Sequence, residues 1–241
     1  MPDYTITELD IYDGDGELTE LPNDIDKYTN LKTLSCCWNY ITSLDNLPPT
    51  LKKLHCWRNI ITCLDNLPPS LEILDCVFNN IISLDNLPPT LETLDCGNNQ
   101  ITTLNNLPQN LKDLNCSNNK ITSLDNLPPT LIILYCNYNN LTSLNNLPST
   151  LEVLDCDNNK ITSLDNLPPK LKVLYCNSNL ITSLDNLPPT LELLHCYNNK
   201  ITSLDNLPSN LKVLDCRLLK YDFEPTLENI RNYNASRMLS S

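Results

Sequence analysis

Apolar residues recur along this chain at a fixed interval. From Leu31 to Lys220 the order L-x-x-L-x-C-x-x-N-x-I-x-x-L-x-N-L-P-x-x returns every twenty residues without an insertion, as nine full units and a truncated tenth. In "LETLDC" the residues Thr93, Leu94, Asp95 and Cys96 alternate outward and inward, which predicts a short strand with Leu94 and Cys96 facing a core. In "LDNLPPTL" the pair Pro88-Pro89 removes two backbone donors, and a twenty-residue unit leaves little length for a helix. Extended or polyproline-like backbone is therefore expected on the side away from the strands. Stacked units would pair their strands in parallel at ~4.8 Å, so that eleven coils span roughly 50 Å of sheet.

The two ends depart from the pattern. A degenerate unit comes first, with Ile6, Leu9 and Ile11, then Leu18, Leu21 and Pro22. Its later part predicts a helical turn packed through Ile25 and Tyr28. At the other end Glu224 and Pro225 precede Leu227, Ile230 and Tyr233, a spacing that predicts a short packing helix, with Phe223 over the last coil. Both ends of a stacked array expose core and must be covered. The chain accordingly divides into 1–30, a degenerate first repeat and cap; 31–220, the repeat array; and 221–241, a second cap.

Three columns run through the repeats. Ten cysteines, from Cys36 to Cys216, fall on one inward strand position. Stacked strands hold Cβ atoms near ~4.8 Å, whereas a disulfide prefers about 3.5–4.5 Å, so bridges would pull coils out of register. Zinc takes a tetrahedral cluster of ligands, not a straight line of sulfurs. Buried thiols resist ionising and pack as small hydrophobes, so this column is read as core. Cys37 and Cys63 stand outside it and are expected to be partly exposed. The second column is Asn39, Asn59, Asn79, Asn99, Asn119, Asn139, Asn159, Asn179 and Asn199. A buried amide there can bond the backbone of neighbouring coils. The third is Asp45, Asp65, Asp85, Asp125, Asp165, Asp185 and Asp205, with Asn105 and Asn145 interrupting it. It admits a calcium-binding ridge or an Asx turn. The substitution by Asn favours the turn, which needs an oxygen rather than a charge.

Period and leucine spacing together identify a leucine-rich repeat array. The units resemble the short, twenty-residue class found in secreted effectors of enteric bacterial pathogens, which share an "LPP-x-L" segment followed by "L-x-x-L". The near-identical, Asn-rich copies also resemble arrays encoded by giant DNA viruses of amoebae. The resemblance implies an α/β-type repeat solenoid: a horseshoe with a parallel concave sheet and a convex side with little helix. Some of those effectors carry a ubiquitin-ligase domain after their repeats; the 21 residues beyond Lys220 are too few for one, so that activity is not carried over.

Composition narrows the function. The net charge of −13 argues against the phosphate backbone of nucleic acid. No window approaches the roughly eighteen apolar residues of a membrane span, and "MPDYTITELD" has no secretory pattern. The chain reads as soluble and cytoplasmic, in the host cytoplasm if it is viral. "NCS" at Asn115, "NLT" at Asn140 and "NAS" at Asn234 are then chance matches to the glycosylation pattern. The two histidines, His55 and His195, share an outward column seven coils apart, roughly 34 Å, so no triad can use both. "DGDGE" at Asp13 to Glu17 lacks the full spacing of a calcium loop and reads as a surface turn. No cofactor, metal or catalytic set is expected.

What varies between units is the outward face of the strands and the residues just after them. Outward positions carry about twelve bases and ten acids, which predicts a nearly neutral concave face, with acidity on the first thirty residues and the convex column. Trp57, Arg58, His55, Tyr135, Tyr138, Tyr175, His195 and Tyr197 are the candidate contact residues, because exposed aromatics and arginine anchor protein interfaces. Trp38 and Phe78 can be read equally as contacts or as rings packed along the ladder. The expectation is a non-enzymatic scaffold that binds a protein partner through its concave face, as a monomer or a weak homo-oligomer through its terminal coils. The alternative is a structural protein that acts by self-association.

Overall fold

The computed structural model describes residues 2–11, 17–216 and 226–238. Asp13 to Gly16, Leu219, Phe223, Glu224, Pro225 and the side chain of Tyr233 lie outside the described residues. Eleven three-residue strands form one parallel sheet in chain order. They are β1 (Glu8–Asp10), β2 (Thr33–Ser35), β3 (Lys53–His55), β4 (Ile73–Asp75), β5 (Thr93–Asp95), β6 (Asp113–Asn115), β7 (Ile133–Tyr135), β8 (Val153–Asp155), β9 (Val173–Tyr175), β10 (Leu193–His195) and β11 (Val213–Asp215). The register advances by twenty residues per strand, so that Leu74 faces Leu94 and Leu94 faces Leu114. The degenerate first unit joins the sheet, with Leu9 opposite Leu34.

Between the strands of the described coils the chain forms turns and extended backbone, with no α-helix. A single 3-10 turn, Ile25–Lys27, buries Ile25 beside Tyr28 near the first coils. Helix α1 (Leu227–Met238) packs at the other end and buries Ile230. The core is one continuous column: in a typical coil Leu91, Leu94, Cys96, Ile101 and Leu104 are all buried, as are their equivalents above and below. Each residue type is repeated because each coil must offer its neighbour the same surface that it receives.

Polar groups inside this column are bonded in a repeating way. Asn99 Nδ2 donates to the carbonyls of Cys76, Cys96 and Gly97, at 3.0, 3.0 and 3.1 Å. Its Oδ1 accepts from Ile81 N–H of the preceding coil at 2.9 Å. One amide therefore satisfies backbone from two coils, which no apolar side chain could do. On the convex side the Thr90 hydroxyl donates to the carbonyls of Pro69 and Leu71, at 2.9 and 2.7 Å, tying coil to coil again.

The cysteine column is fully covered, and every cysteine among the described residues is a free thiol. The Cys96 thiol donates to the Asn115 carbonyl at 3.3 Å, and Cys116 repeats the contact with Tyr135 at 3.5 Å. Burial pushes the Cys116 thiol up to about 12, so the thiolate is absent at neutral pH. Cys63 is exposed, as expected. Cys37 is not: it is buried, and the Ser35 hydroxyl donates to its sulfur at 3.8 Å. A thiol reagent should consequently consume one equivalent of native protein quickly and the remaining eleven of the twelve only on unfolding. Rapid loss of several equivalents in native conditions would contradict the packed column.

Candidate functional site

The convex Asp column resolves into a side-chain relay rather than an Asx turn. Asp85 N–H donates to Ser83 Oγ at 3.2 Å, and that hydroxyl donates on to Asp85 Oδ2 at 2.6 Å. Asn106 Nδ2, one coil on, donates to Asp85 Oδ1 at 3.0 Å. The carboxylate therefore accepts from a serine and from the next coil's asparagine, not from nearby backbone. The serine hydroxyl and then the Asn106 amide hold its carboxyl below the usual range. Asn86 and its equivalents hold φ near +64°, a left-handed turn that asparagine tolerates. Among the described residues no group of three or more His, Cys, Asp or Glu side chains converges as a metal site.

On the concave side the strand row reads Ser35, His55, Asp75, Asp95, Asn115, Tyr135, Asp155, Tyr175, His195 and Asp215. Here the near-neutral expectation needs correction. Four of the lysines counted toward it stand just before the strands, paired to glutamates of adjacent coils: Lys52 to Glu72, Lys112 to Glu92, Lys172 to Glu152 and Lys212 to Glu192, at 2.6–2.8 Å. The strand face itself is mostly acidic, with Glu8 and Asp10 on β1, then Lys53 and the neighbouring Arg58, then Asp75, Asp95, Asp113, Asp155 and Asp157 further along. Counting charges along the chain could not show this, because it merges rows that the coil separates.

Burial has a cost for these acids. Asp155 is pushed up to about 6, mainly by desolvation, and Asp95, Asp113 and Asp157 are raised for the same reason. A folded value above the unfolded one means that the folded state holds the proton more tightly. The charged form therefore destabilises above pH 6, and the penalty fades as pH falls toward 4. Asp155→Asn, which keeps the Oδ1 acceptor for Asp157 N–H, should raise stability at pH 7 by about 1 kcal/mol after allowance for solvent screening. It should give no gain at pH 4, as urea midpoints at the two pH values would show.

The candidate contact residues fall into three places. Tyr175 and His195, neighbours on β9 and β10, meet edge to face with centroids 5.0 Å apart. Tyr135 is separated from them by Asp155, its partner in register. Tyr197 lies half-buried after β10, its N–H bonded to Asn177 Oδ1, and Asn177 is itself held by Asp157. His55 Nδ1 stands 3.6 Å from Asp75 Oδ2.

The densest grouping is at the N-terminal end. Trp38 and Trp57 meet edge to face at 5.3 Å, and the Arg58 guanidinium lies 3.9 Å from the Trp38 ring centroid and 5.1 Å from that of Phe78. Trp38 and Phe78, left open by the sequence, are both nearly half exposed, at 46% and 47%. With Tyr40 and Ile60 they border a cleft of about 470 Å³. Trp38, Arg58, Phe78 and Tyr138 all hold φ between +53° and +58°, in a left-handed row where other coils place Asn98, Asn118, Asn158 or Asn198. Non-glycine residues in that region carry about 1–3 kcal/mol of strain each, and asparagine is among the best tolerated there. Large side chains here are not chosen for the turn. The sequence singled out these residues but not their shared left-handed turn, because φ is not legible in residue order; the signal was the Asn that alternates with them.

Among known proteins, a family model for leucine-rich repeats (two copies) matches residues 89–129 and 149–189. Similar solved structures include YopM from Yersinia enterocolitica, 37% identical with a TM-score of 0.67 over 83% of this chain and 48% of that one. The functional domain of InlJ from Listeria monocytogenes, described as including a cysteine ladder, is 34% identical with a TM-score of 0.72 over 83% and 48%. YopM from Yersinia pestis, a leucine-rich effector protein, is 31% identical with a TM-score of 0.69 over 86% and 65%. The chain spans about half the length of the first two. No curated protein matches it. The twenty-residue period, the eleven-strand parallel sheet and these likenesses together show a leucine-rich repeat solenoid built of twenty-residue units, similar to the arrays of bacterial effectors.

Proposed function

We propose that the protein is a non-enzymatic interaction scaffold that holds a protein partner on its concave face and along the turn row beside it. The observation that carries this reading is the contrast between rows. Inward positions repeat nearly unchanged from coil to coil, whereas outward ones change in size, charge and aromaticity. A constant frame with changeable side chains is how repeat proteins build binding surfaces. Aromatic residues and arginine on that surface are of the kind that carries interface energy. The acidic balance disfavours nucleic acid or an anionic membrane as the partner. Among the described residues no helix is long and apolar enough to cross a membrane. A cytoplasmic setting, where thiols stay reduced, suits a chain of twelve cysteines.

The test is capture of partners from a cytosolic lysate on the intact protein, with a Tyr135→Ala/Tyr175→Ala/Tyr197→Ala variant and an Arg58→Asn variant of equal thermal stability beside it. A partner held by the intact protein and lost by either variant is the expected result. Equal capture by all three proteins would sink the concave-face reading.

A further inference from the structure

Three consecutive N-terminal coils place Trp38, Arg58 and Phe78 on the left-handed row that other coils fill with Asn98, Asn118, Asn158, Ser178 or Asn198. The result is a guanidinium stacked between two rings. Arg58 is exposed, and its guanidinium has no carboxylate or carbonyl partner among the described residues. With the guanidinium carbon over both rings, the residue exposed and no acceptor bonded to it, the N–H edge is available to a ligand. That edge is a fixed fork whose spacing matches the two oxygens of a carboxylate.

The surroundings extend the match. The cleft of about 470 Å³ beside the stack is bordered by Tyr40 and Ile60 as well as by the two rings, so it offers apolar walls next to the cation. Lys53 on β3 is exposed and adds a second positive charge on the same side. Asp75, Asp95 and Asp113 lie on one side of this pair and Glu8 and Asp10 of β1 on the other, so positive charge on this part of the face is confined to the coil of Lys53 and Arg58, and an acidic segment would have to seat there rather than on its neighbours.

We propose that the Trp38–Arg58–Phe78 stack is a docking site for an acidic peptide segment of a protein partner, in which a Glu or Asp side chain pairs with the Arg58 fork and a neighbouring aromatic or aliphatic side chain enters the cleft beside Tyr40 and Ile60. This rests on the scaffold reading and names the partner's chemistry at one end of the face.

The probes are end-blocked octapeptide pools with randomised flanks and a fixed centre: Trp-Glu, Trp-Gln, Trp-Lys or Ser-Glu. Retention of each pool is measured on the intact protein, on Arg58→Asn, on Arg58→Lys and on Tyr135→Ala/Tyr175→Ala. Arg58→Asn leaves the fold intact, because Asn98 and Asn118 hold the same turn at φ 55° and 53°. The intact protein should retain the Trp-Glu pool about tenfold better than the other three. Arg58→Asn should lose that preference, Arg58→Lys should lose most of it with the fork, and the tyrosine variant should keep it. No preference in the intact protein, or one that survives Arg58→Asn, overturns the proposal. A preference lost only in the tyrosine variant overturns it too, but leaves the concave-face reading standing. Arg58-dependent retention of a polyuridine oligonucleotide in place of the Trp-Glu pool, or Arg58-dependent self-association without any peptide preference, likewise overturns it. An Arg58-dependent Trp-Glu preference combined with failed lysate capture would support this site while removing support for the wider reading.

Discussion

Asn119→Ala should lower the unfolding free energy by about 3–5 kcal/mol, a large share of what a domain of this size holds. Asn119 Nδ2 donates to the carbonyls of Cys96, Cys116 and Ser117, at 3.1, 3.1 and 3.2 Å, and Oδ1 accepts from Ile101 N–H at 2.9 Å. Alanine leaves Ile101 N–H buried without an acceptor and withdraws a donor from three carbonyls. Water does not reach the gap easily, because Asn119 is only 8% exposed. The position is central, so weakening one coil interface also weakens the coupling between the two halves of the array. Urea unfolding followed by circular dichroism should show a lower midpoint and a broader transition. Asn119→Asp should be at least as damaging at pH 7, since it keeps the acceptor but turns an oxygen toward three carbonyls. Thr122→Ala, exposed on the neighbouring turn, is the control and should change stability by no more than about 0.5 kcal/mol. A loss below about 1 kcal/mol for Asn119→Ala would show that the ladder is decoration.

Ile230→Asp should detach the C-terminal helix and make the protein self-associate. Helix α1 stands in for a further coil in a specific way. In the array, Thr190 Oγ1 donates to the carbonyls of Pro169 and Leu171, and at the end Arg231 Nη2 donates to those of Ser209 and Leu211, both at 3.0 Å. Asn234 Nδ2 adds a bond to the Leu204 carbonyl at 2.7 Å. Ile230 is fully buried between these anchors, over the last coil's apolar residues. A carboxylate there is an unpaired buried charge, costing about 3–5 kcal/mol, more than the helix's contacts can offset. Release would expose Leu204 and Leu211 at an open end, and sedimentation should then report concentration-dependent oligomers. Arg231→Ala should weaken the end without reversing its polarity, and so give a smaller shift. If the intact protein already forms large assemblies with the helix in place, self-association rather than scaffolding becomes the better account of the molecule.

The residues that make these predictions possible were legible to different degrees. The Asn column could be read as buried amides, since a polar residue recurring with core leucines must find backbone partners. The cysteine column could be read as core for the same reason, by ruling out bridge and metal geometry. Cys37 could not, because it stands outside the column and residue order does not show which neighbours cover it. The Asp column was recognised as needing an oxygen. Its actual donors, a serine two residues back and an asparagine 21 residues on, depend on how one coil sits on the next.

The sequence by itself determined the period, the strand in each unit, the extended return and the inward residues, because a repeated pattern of apolar spacing has one packed solution: identical coils in register. Only the tertiary structure decided the outward face. Charges that look balanced along the chain part into paired rows before the strands and an acidic row upon them, and Arg58 comes to rest between rings twenty residues away on either side. The physical reason is that core positions meet copies of themselves in the next coil, so one unit foretells the contact, whereas outward positions meet different side chains twenty residues away.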